Sequence, residues 1–396
     1  MNSDNRIVLI DALRGFALLG IALIHSVEHF DFFHKPLVNV CFSERVDNIL
    51  TNTVIFLISG KAYSIFALMF GFSFFIMMNG KEKNGIDFRW NFLWRLTILL
   101  CFGFINSLIY KGDILHIYAL LGVLLIFLYN TRTNILIWVS VLLAIQIPTL
   151  YNLFVSFVYP EFEYVKNFGT GLWQEADKTY ATGNFFEVVS FNLWKGRSAV
   201  WGWTYYNGRY LQLIALFIIG LILGRKRFFE ETIKYKKNLP KTFIISSLTV
   251  IFFFVLSEYV IHLDYSNTQK MLLKTLIDSY SDIAFTTAII SSFILIYLRL
   301  KELIFFNLLA TYGKISLTNY IMQIIIGVIF FYGFGFGMYR YMGATWSLIF
   351  VISIFSFQVL ISKIWTQYFY YGPLEWLWRA LTFLDFSIKF KKIREL

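Results

Sequence analysis

Ten times along this chain, apolar residues continue for the length a helix needs to cross a bilayer. A helix rises ~1.5 Å per residue and the hydrocarbon core is ~30 Å thick, so about 20 such residues suffice. The runs lie near 7–28, 51–79, 92–110, 115–130, 134–157, 206–224, 242–262, 280–298, 315–337 and 345–368. The expected fold is all-α, a polytopic transmembrane helical bundle of about ten spans. With 58% hydrophobic and 15% charged residues, a soluble chain of 396 residues could not keep so much apolar surface dry. Five prolines and no long polar tract leave a single integral membrane domain over 1–396.

Charge sets the expected topology. The net +11 sits between spans rather than in a nucleic-acid-binding patch, so the positive-inside rule accounts for it and no nucleic acid is expected. The first connection, 29–48, is slightly acidic: Asp31, Glu44 and Asp47 stand against Lys35 and Arg45. The second carries Lys81, Lys83 and Arg89, and the one after the sixth span carries Arg225, Lys226, Arg227, Lys234, Lys236, Lys237 and Lys241. Lys389, Lys391, Lys392 and Arg394 make the tail basic. All the basic segments share one side if both termini are cytoplasmic. The first apolar run exceeds the hydrophobic region of a signal peptide and no small-residue cleavage site follows it, so it is read as a span. Cys41 and Cys101 are too far apart to suggest a disulfide framework or a metal site.

Three segments lie outside the spans. The connection 159–205 is long and dense in Phe, Trp and Tyr, which predicts short interfacial helices over the outer mouth of the bundle. The run GFGFGM, Gly333 to Met338, predicts a bend or a close backbone approach. Residues 372–396 predict an interfacial helix with a tryptophan anchor and a basic tail. No internal repeat is evident, which weakens the case for an inverted-repeat transporter.

The first span, IVLIDALRGFALLGIALIHSVE, holds four ionisable residues, Asp11, Arg14, His25 and Glu28. Charge in a bilayer costs several kcal/mol unless it is paired or faces a water-lined cavity, so such residues mark function. At ~100° per residue all four fall within roughly 100° of one helix face. Asp11 and Arg14 are spaced to pair, and Arg14 and His25 stand ~16 Å apart along that face. Asp113 and His116, in KGDILHIY, are expected at the same depth as His25 and Glu28. A histidine oriented by a carboxylate is the usual general base. The bland alternative for His25 is a hydrogen bond to a neighbouring helix. A metal site with His29 and His34 is disfavoured by their loop placement and missing ligand spacing.

Lys61, in FLISGKAYSIF, lies inside a span and is read as pairing with Asp11 or meeting an anionic ligand rather than snorkelling. Arg95 and Arg209 are similar cases, with an interfacial anchor as the bland reading. Asn106, Ser107, Asn319 and Gln323 are read as hydrogen-bonding between helices or touching substrate. The chain has no Gly-rich phosphate loop, serine elbow, CxxC motif or zinc signature, and no metal is expected.

The run IDALRGFALLGIALIH resembles the opening signature of the YeiB-like membrane family, which carries a domain of unknown function, DUF418. FLISGKAYSIFALMFGFSF, LIYKGDILHIYALLG, GRYLQLIALFIIGLILGR, YGKISLTNYIMQ and YGPLEWLWRAL resemble its later blocks in the same order. That family looks related to transmembrane acyltransferases, including the acyltransferase-3 proteins and the lysosomal heparan glucosaminide acetyltransferase. Those share an LRG-containing first helix with a histidine at its far end, matched here by Asp11, Arg14, Gly15 and His25. The resemblance implies a multi-pass protein of the bacterial cytoplasmic membrane. It also implies an acyl donor, acyl-CoA, taken from the cytosol, with acetyl-CoA the expected form.

The leading expectation is therefore a membrane acyltransferase serving an extracytoplasmic glycan or cell-envelope acceptor. His25 would deprotonate the acceptor, with Glu28, Asp113 or His116 orienting it. Arg14, Asp11, Lys61 and Arg95 would hold the donor, while Arg209, Asn319 and Gln323 would be substrate-contacting or structural. The alternative is a transporter or flippase for a small anionic or lipid-linked solute, with the same charges forming a midplane site. A third reading is a non-catalytic membrane partner or sensor. The lipid bilayer is the expected environment, and a homodimer is compatible with it.

Overall fold

The computed structural model describes residues 7–32, 36, 43–159, 161–164 and 170–392. Regular structure among them is helical, apart from one isolated bridge between Phe369 and Lys391. α1 (Val8–Val27) has no proline to break it. α2 (Glu44–Ile58) and α3 (Lys61–Glu82) make one 39-residue span interrupted at Ser59 and Gly60. α4 (Arg89–Ile109) packs on α5 (Leu115–Leu128). α6 (Thr133–Ala144) and α7 (Ile147–Val158) share a span broken at Gln146, which adopts left-handed backbone two residues before Pro148.

The long connection contains α8 (Thr170–Thr182), α9 (Phe185–Phe191), a π-turn at Asn192–Gly196 and α10 (Arg197–Tyr206). α11 (Arg209–Arg225) turns 72° away from it. After the one-turn α12 (Thr232–Tyr235), α13 (Leu239–Ile261) and α14 (Asn267–Leu300) run against each other. α15 (Ile304–Lys314) meets α16 (Ser316–Phe331) at 82°, and α17 (Ala344–Tyr368) precedes the short α18 (Pro373–Phe383).

The chain is a polytopic helical membrane protein, with a span count that differs from the sequence reading. Seven helices among the described residues are long and apolar enough to cross a membrane, and nine spans result if each bent pair counts as one. The expected span at 115–130 is α5, whose 14 residues reach about 21 Å and fall short of the hydrocarbon core. The span expected at 280–298 begins at Asn267, because Ser266 and Gln269 form a capping box that starts the helix earlier. On α13, Leu248, Ile251, Phe252 and Val255 are all exposed, as a lipid-facing helix requires.

Small-residue contacts let the inner helices close. A side chain on Gly313 of α15 would collide with the Asp11 carbonyl, and one on Gly15 of α1 with the Leu309 carbonyl. The two helices therefore cross backbone to backbone beside Asp11 and Arg14. At Gly60, φ is +81° and the Asp282 carboxylate occupies the space a side chain would need. The ends of α3, α5 and α11 share one face. There Tyr129 donates to Glu82 at 2.5 Å, and Arg225 donates to the backbone carbonyls of Tyr129 and Thr131. With Lys81, Lys83 and Arg89 beside them, this is the basic face of the molecule.

Candidate functional site

From the basic face a cavity of about 440 Å³ enters the bundle between α1, α3, α4, α16 and α18. Along α1 it is lined from Ile7 to Ile21, roughly 21 Å of helix. Asp11, Arg14, Arg95, Lys314, Glu375 and Arg379 face it, and its deep end is closed by Phe66, Ile114, Tyr118 and Tyr320. Arg14 is fixed from two sides: its NH1 donates to Asp11 Oδ1 at 3.1 Å, and its NH2 donates to Ser73 on α3. The one-face seam read from the first span thus becomes a cavity wall for Asp11 and Arg14.

At the deep end, Tyr320 from α16 donates its hydroxyl to Asp113 Oδ1 at 3.2 Å. Asn106 Nδ2 donates to the same oxygen at 2.8 Å, and the backbone N–H of Leu115 donates to Oδ2 at 3.0 Å. Asp113 Oδ2 also lies 3.3 Å from His116 Nδ1. Both residues are buried, at 0% and 3% exposure. The spacing works because Asp113 closes the turn before α5 and His116 lies one helical turn further on. His116 Nε2 and Asn106 Oδ1 are buried without hydrogen-bond partners among the described residues. The His116 ring abuts Trp201 of α10, 5.8 Å between centroids. An Asp–His pair thus stands between the cavity and the long aromatic connection, with Nε2 uncommitted.

His25 has different neighbours from those expected. Its ring packs 5.0 Å from Tyr110 and 5.7 Å from Phe30. Asp113 and His116 pair with each other instead of orienting it, because Asp113's oxygens are filled by Asn106, Tyr320 and the start of α5. Beyond α1, His29, Phe30 and Asp31 all have positive φ, a left-handed turn that costs non-glycine residues energy. Among the contacts that hold it are His29 Nε2 to the Met342 carbonyl at 2.9 Å, Tyr332 to the Phe30 carbonyl at 2.8 Å, and Lys111 to the Asp31 carbonyl at 2.6 Å. Lys111 is buried, 3.4 Å from the Asp31 carboxylate and under the rings of Trp173 and Tyr180. Glu28 lies within electrostatic reach of both Asp31 and Lys111.

Lys61 and Arg209 lie outside the cavity lining, together in a second buried cluster. Lys61 pairs with Asp282 Oδ1 at 3.0 Å rather than with Asp11, and Arg209 pairs with Asp282 Oδ2 at 2.6 Å. Arg209 also donates to Gln212 Oε1 at 2.9 Å and to the Tyr63 hydroxyl. Gln146 donates to Ser279 one turn before Asp282. The breaks at Gly60, Gln146 and Gly208, each with positive φ, converge on this stretch of α14. Asn319 and Gln323 sit in an interhelical network: Asn319 Nδ2 donates to the Tyr312 carbonyl at 2.9 Å and to Ser362 at 3.1 Å, and Gln323 donates to the Tyr312 hydroxyl. Among the described residues no three His, Cys, Asp or Glu side chains gather as a metal site, and His34 and Cys41 lie outside those residues.

Several participants escaped the sequence reading. Asp282 carried the same signal as Lys61, an ionisable residue inside an expected span, and that signal was enough to find it. Lys111 sits in the KGDILHIY block beside Asp113, but its aromatic neighbours come from α8. Tyr320, Lys314, Glu375 and Arg379 join the cavity through the bend between α15 and α16 and the docking of α18, which no local pattern announces.

A family model described as "Protein of unknown function (DUF418)" matches residues 223–385. Curated relatives align over nearly the whole chain. "Uncharacterized protein YxaH" of Bacillus subtilis (strain 168) is 26% identical, covering 99% of this chain and 98% of its own length. "Uncharacterized 39.9 kDa protein in amylase 3'region" of Bacillus acidopullulyticus is 25% identical, over 98% and 97%. "Uncharacterized protein YeiB" of Escherichia coli (strain K12) is 25% identical, over 95% and 96%. No solved structure matches the chain.

Proposed function

We propose that this YeiB-like protein, whose C-terminal part carries the DUF418 region, is a membrane-embedded acyltransferase. It takes an acyl group, acetyl as the simplest, from cytosolic acyl-CoA and passes it to a glycan or other envelope acceptor across a bacterial cytoplasmic membrane. The observation that carries the reading is the Tyr320–Asp113–His116 chain. It ties the deep end of a cavity that opens at the basic face to a buried imidazole with Nε2 unpartnered.

With the basic face cytosolic, Arg14 meets the donor inside the cavity and the thioester lies toward Tyr118 and Tyr320. His116 Nε2 takes the proton of an acceptor hydroxyl or amine, and the freed lone pair attacks the thioester carbonyl. The C–S bond then breaks, and the thiolate leaves with the proton that His116 returns. Asp113 holds the Nδ1–H tautomer and offsets the imidazolium charge in between. Supporting His116 as base is the carboxylate at 3.3 Å, a partner that no described residue gives His25. His25 stays the sequence-expected base and is tested beside it.

The test is CoA release from acetyl-CoA by the purified protein, with an envelope extract as acceptor source. His116→Ala and Asp113→Asn should each abolish release above background. Release unchanged in both variants would overturn the reading.

A second reading, a transporter of a small anionic or lipid-linked solute, has one observation in its favour. Three interrupted helices meet at the buried Lys61–Asp282–Arg209 cluster, an arrangement that discontinuous membrane helices use to hold ligands. Solute uptake into proteoliposomes without any acyl-CoA requirement would decide for it.

A further inference from the structure

Among the described residues, four cationic side chains line the cavity, Arg14, Arg95, Lys314 and Arg379, with two acids, Asp11 and Glu375. Both acids are engaged. Asp11 holds Arg14, and Glu375 accepts from the backbone N–H of Leu317 at 2.7 Å, that of Thr318 at 3.2 Å and the Thr318 hydroxyl at 2.6 Å. Glu375 thereby caps the first turn of α16 and has little left for an arginine. The Nε–H groups of Arg95 and Arg379 are buried without acceptors among the described residues.

The two guanidiniums are held in place from behind. The Trp378 indole donates to the Arg95 carbonyl at 2.9 Å, and its ring lies 3.6 Å from the Arg95 guanidinium carbon. Arg379, the next residue of α18, lies 5.2 Å from the Tyr371 ring. Both cations line the same cavity, one stacked on Trp378 and the other its neighbour in sequence, which is unfavourable at a membrane boundary unless an anion lies with them.

We propose that Arg95 and Arg379 form a two-armed fork for a phosphate group, with the organic part of the ligand extending into the cavity past Leu96, Leu99 and Phe70. A planar guanidinium donates to two oxygens of one phosphate, and a dianion offsets both charges where a carboxylate would offset one. The remaining cavity wall is mostly apolar and suits an extended arm. The fork rests on reading this cavity as the donor's, and it names the donor's class as a phosphate ester. The same chemistry would also take the headgroup of an anionic lipid.

The test is calorimetric titration of the purified full chain, in nanodiscs of neutral lipid, with inorganic pyrophosphate and with coenzyme A. Both should bind, and Arg379→Gln and Arg95→Gln should each weaken binding at least tenfold. Arg379→Lys, which keeps charge but loses the fork, should fall between. Arg89→Gln, which alters an exposed pair with Asp87, should bind as the parent does. Equal binding by parent and Arg379→Gln, both folded by circular dichroism, would overturn the fork, as would no binding of either probe or of anionic lipid. Repeating the titration with phosphatidic acid, whose monoester phosphate can carry two charges, identifies the source of the phosphate. Competition lost in Arg379→Gln supports the fork with a lipid headgroup as occupant, and undiminished pyrophosphate binding supports it with a soluble ester. Phosphate binding lost in Arg379→Gln, without acyl transfer by the parent, would sink the transferase and keep the fork. Transfer with binding indifferent to Arg379 would do the reverse.

Discussion

Tyr320 reaches from the cavity wall to Asp113 Oδ1, 3.2 Å away, and so connects an accessible space to a buried carboxylate. Tyr320→Phe keeps the ring and removes the O–H. Asn106 and the Leu115 amide still hold Asp113, so the structural loss is one buried hydrogen bond, about 1 kcal/mol. The expected outcome is a drop of a few degrees in melting temperature and a fall in acyl transfer of about tenfold, ~1.4 kcal/mol of barrier. Loss of stability with transfer unchanged would reduce Tyr320 to a packing residue.

Removing a general base costs about 10²- to 10⁴-fold in rate. His116→Ala should lose at least a hundredfold in acyl transfer, measured as labelled acyl group reaching envelope acceptor. His25→Asn keeps a similar shape against Tyr110 and Phe30 and should lose less than tenfold. The opposite order would return the base to the end of the first helix.

The sequence carried the membrane class and the position of most helices, since these follow from apolar length and helical period. Of the four-residue seam on α1, Asp11 and Arg14 line the cavity and His25 and Glu28 do not. Asp11 with Arg14 was legible because an i,i+3 pair is local, and Asp113 with His116 is local for the same reason. The partner of each pair was not. Depth along a helix suggested that His116 and His25 meet, but equal depth leaves azimuth open, and α5 turns His116 toward Trp201 instead. Lys61 meets Asp282 rather than Asp11 because the break at Gly60 brings α3 against α14. Contacts that depend on helix breaks and on the docking of α18 arise from tertiary packing, which single-span periodicity does not encode.

Asp282 neutralises two cations at once, the buried Lys61 and the partly buried Arg209. Asp282→Ala leaves Lys61 and Arg209 facing each other without it, and removing one partner of a buried pair costs about 3–5 kcal/mol. Lys61→Met should cost less, since Arg209 still pairs with the carboxylate. The measurement is the yield and melting temperature of both purified variants. Equal, small effects would mean that the cluster is hydrated and adds little to the fold.

Glu375 provides a pH test of how α18 is held on α16. Burial pushes its carboxyl above the ordinary 4.5, and the hydrogen bonds from Thr318 and Leu317 only partly oppose that. In the folded protein the group therefore keeps its proton to a higher pH than in the unfolded chain. The sign follows: where the folded state binds more protons, stability falls as pH rises. The contribution is fully present below about pH 4.5 and is lost as pH climbs through the raised folded value, with a slope of at most ~1.4 kcal/mol per unit. Glu375→Gln is neutral throughout and still offers an oxygen to the Leu317 and Thr318 amides. Its melting temperature should therefore vary less between pH 5 and 8 than the parent's, with the two curves closest at the acid end. Parallel curves over that range would show that Glu375 is already ionised in the folded protein, with α18 held by a charged cap.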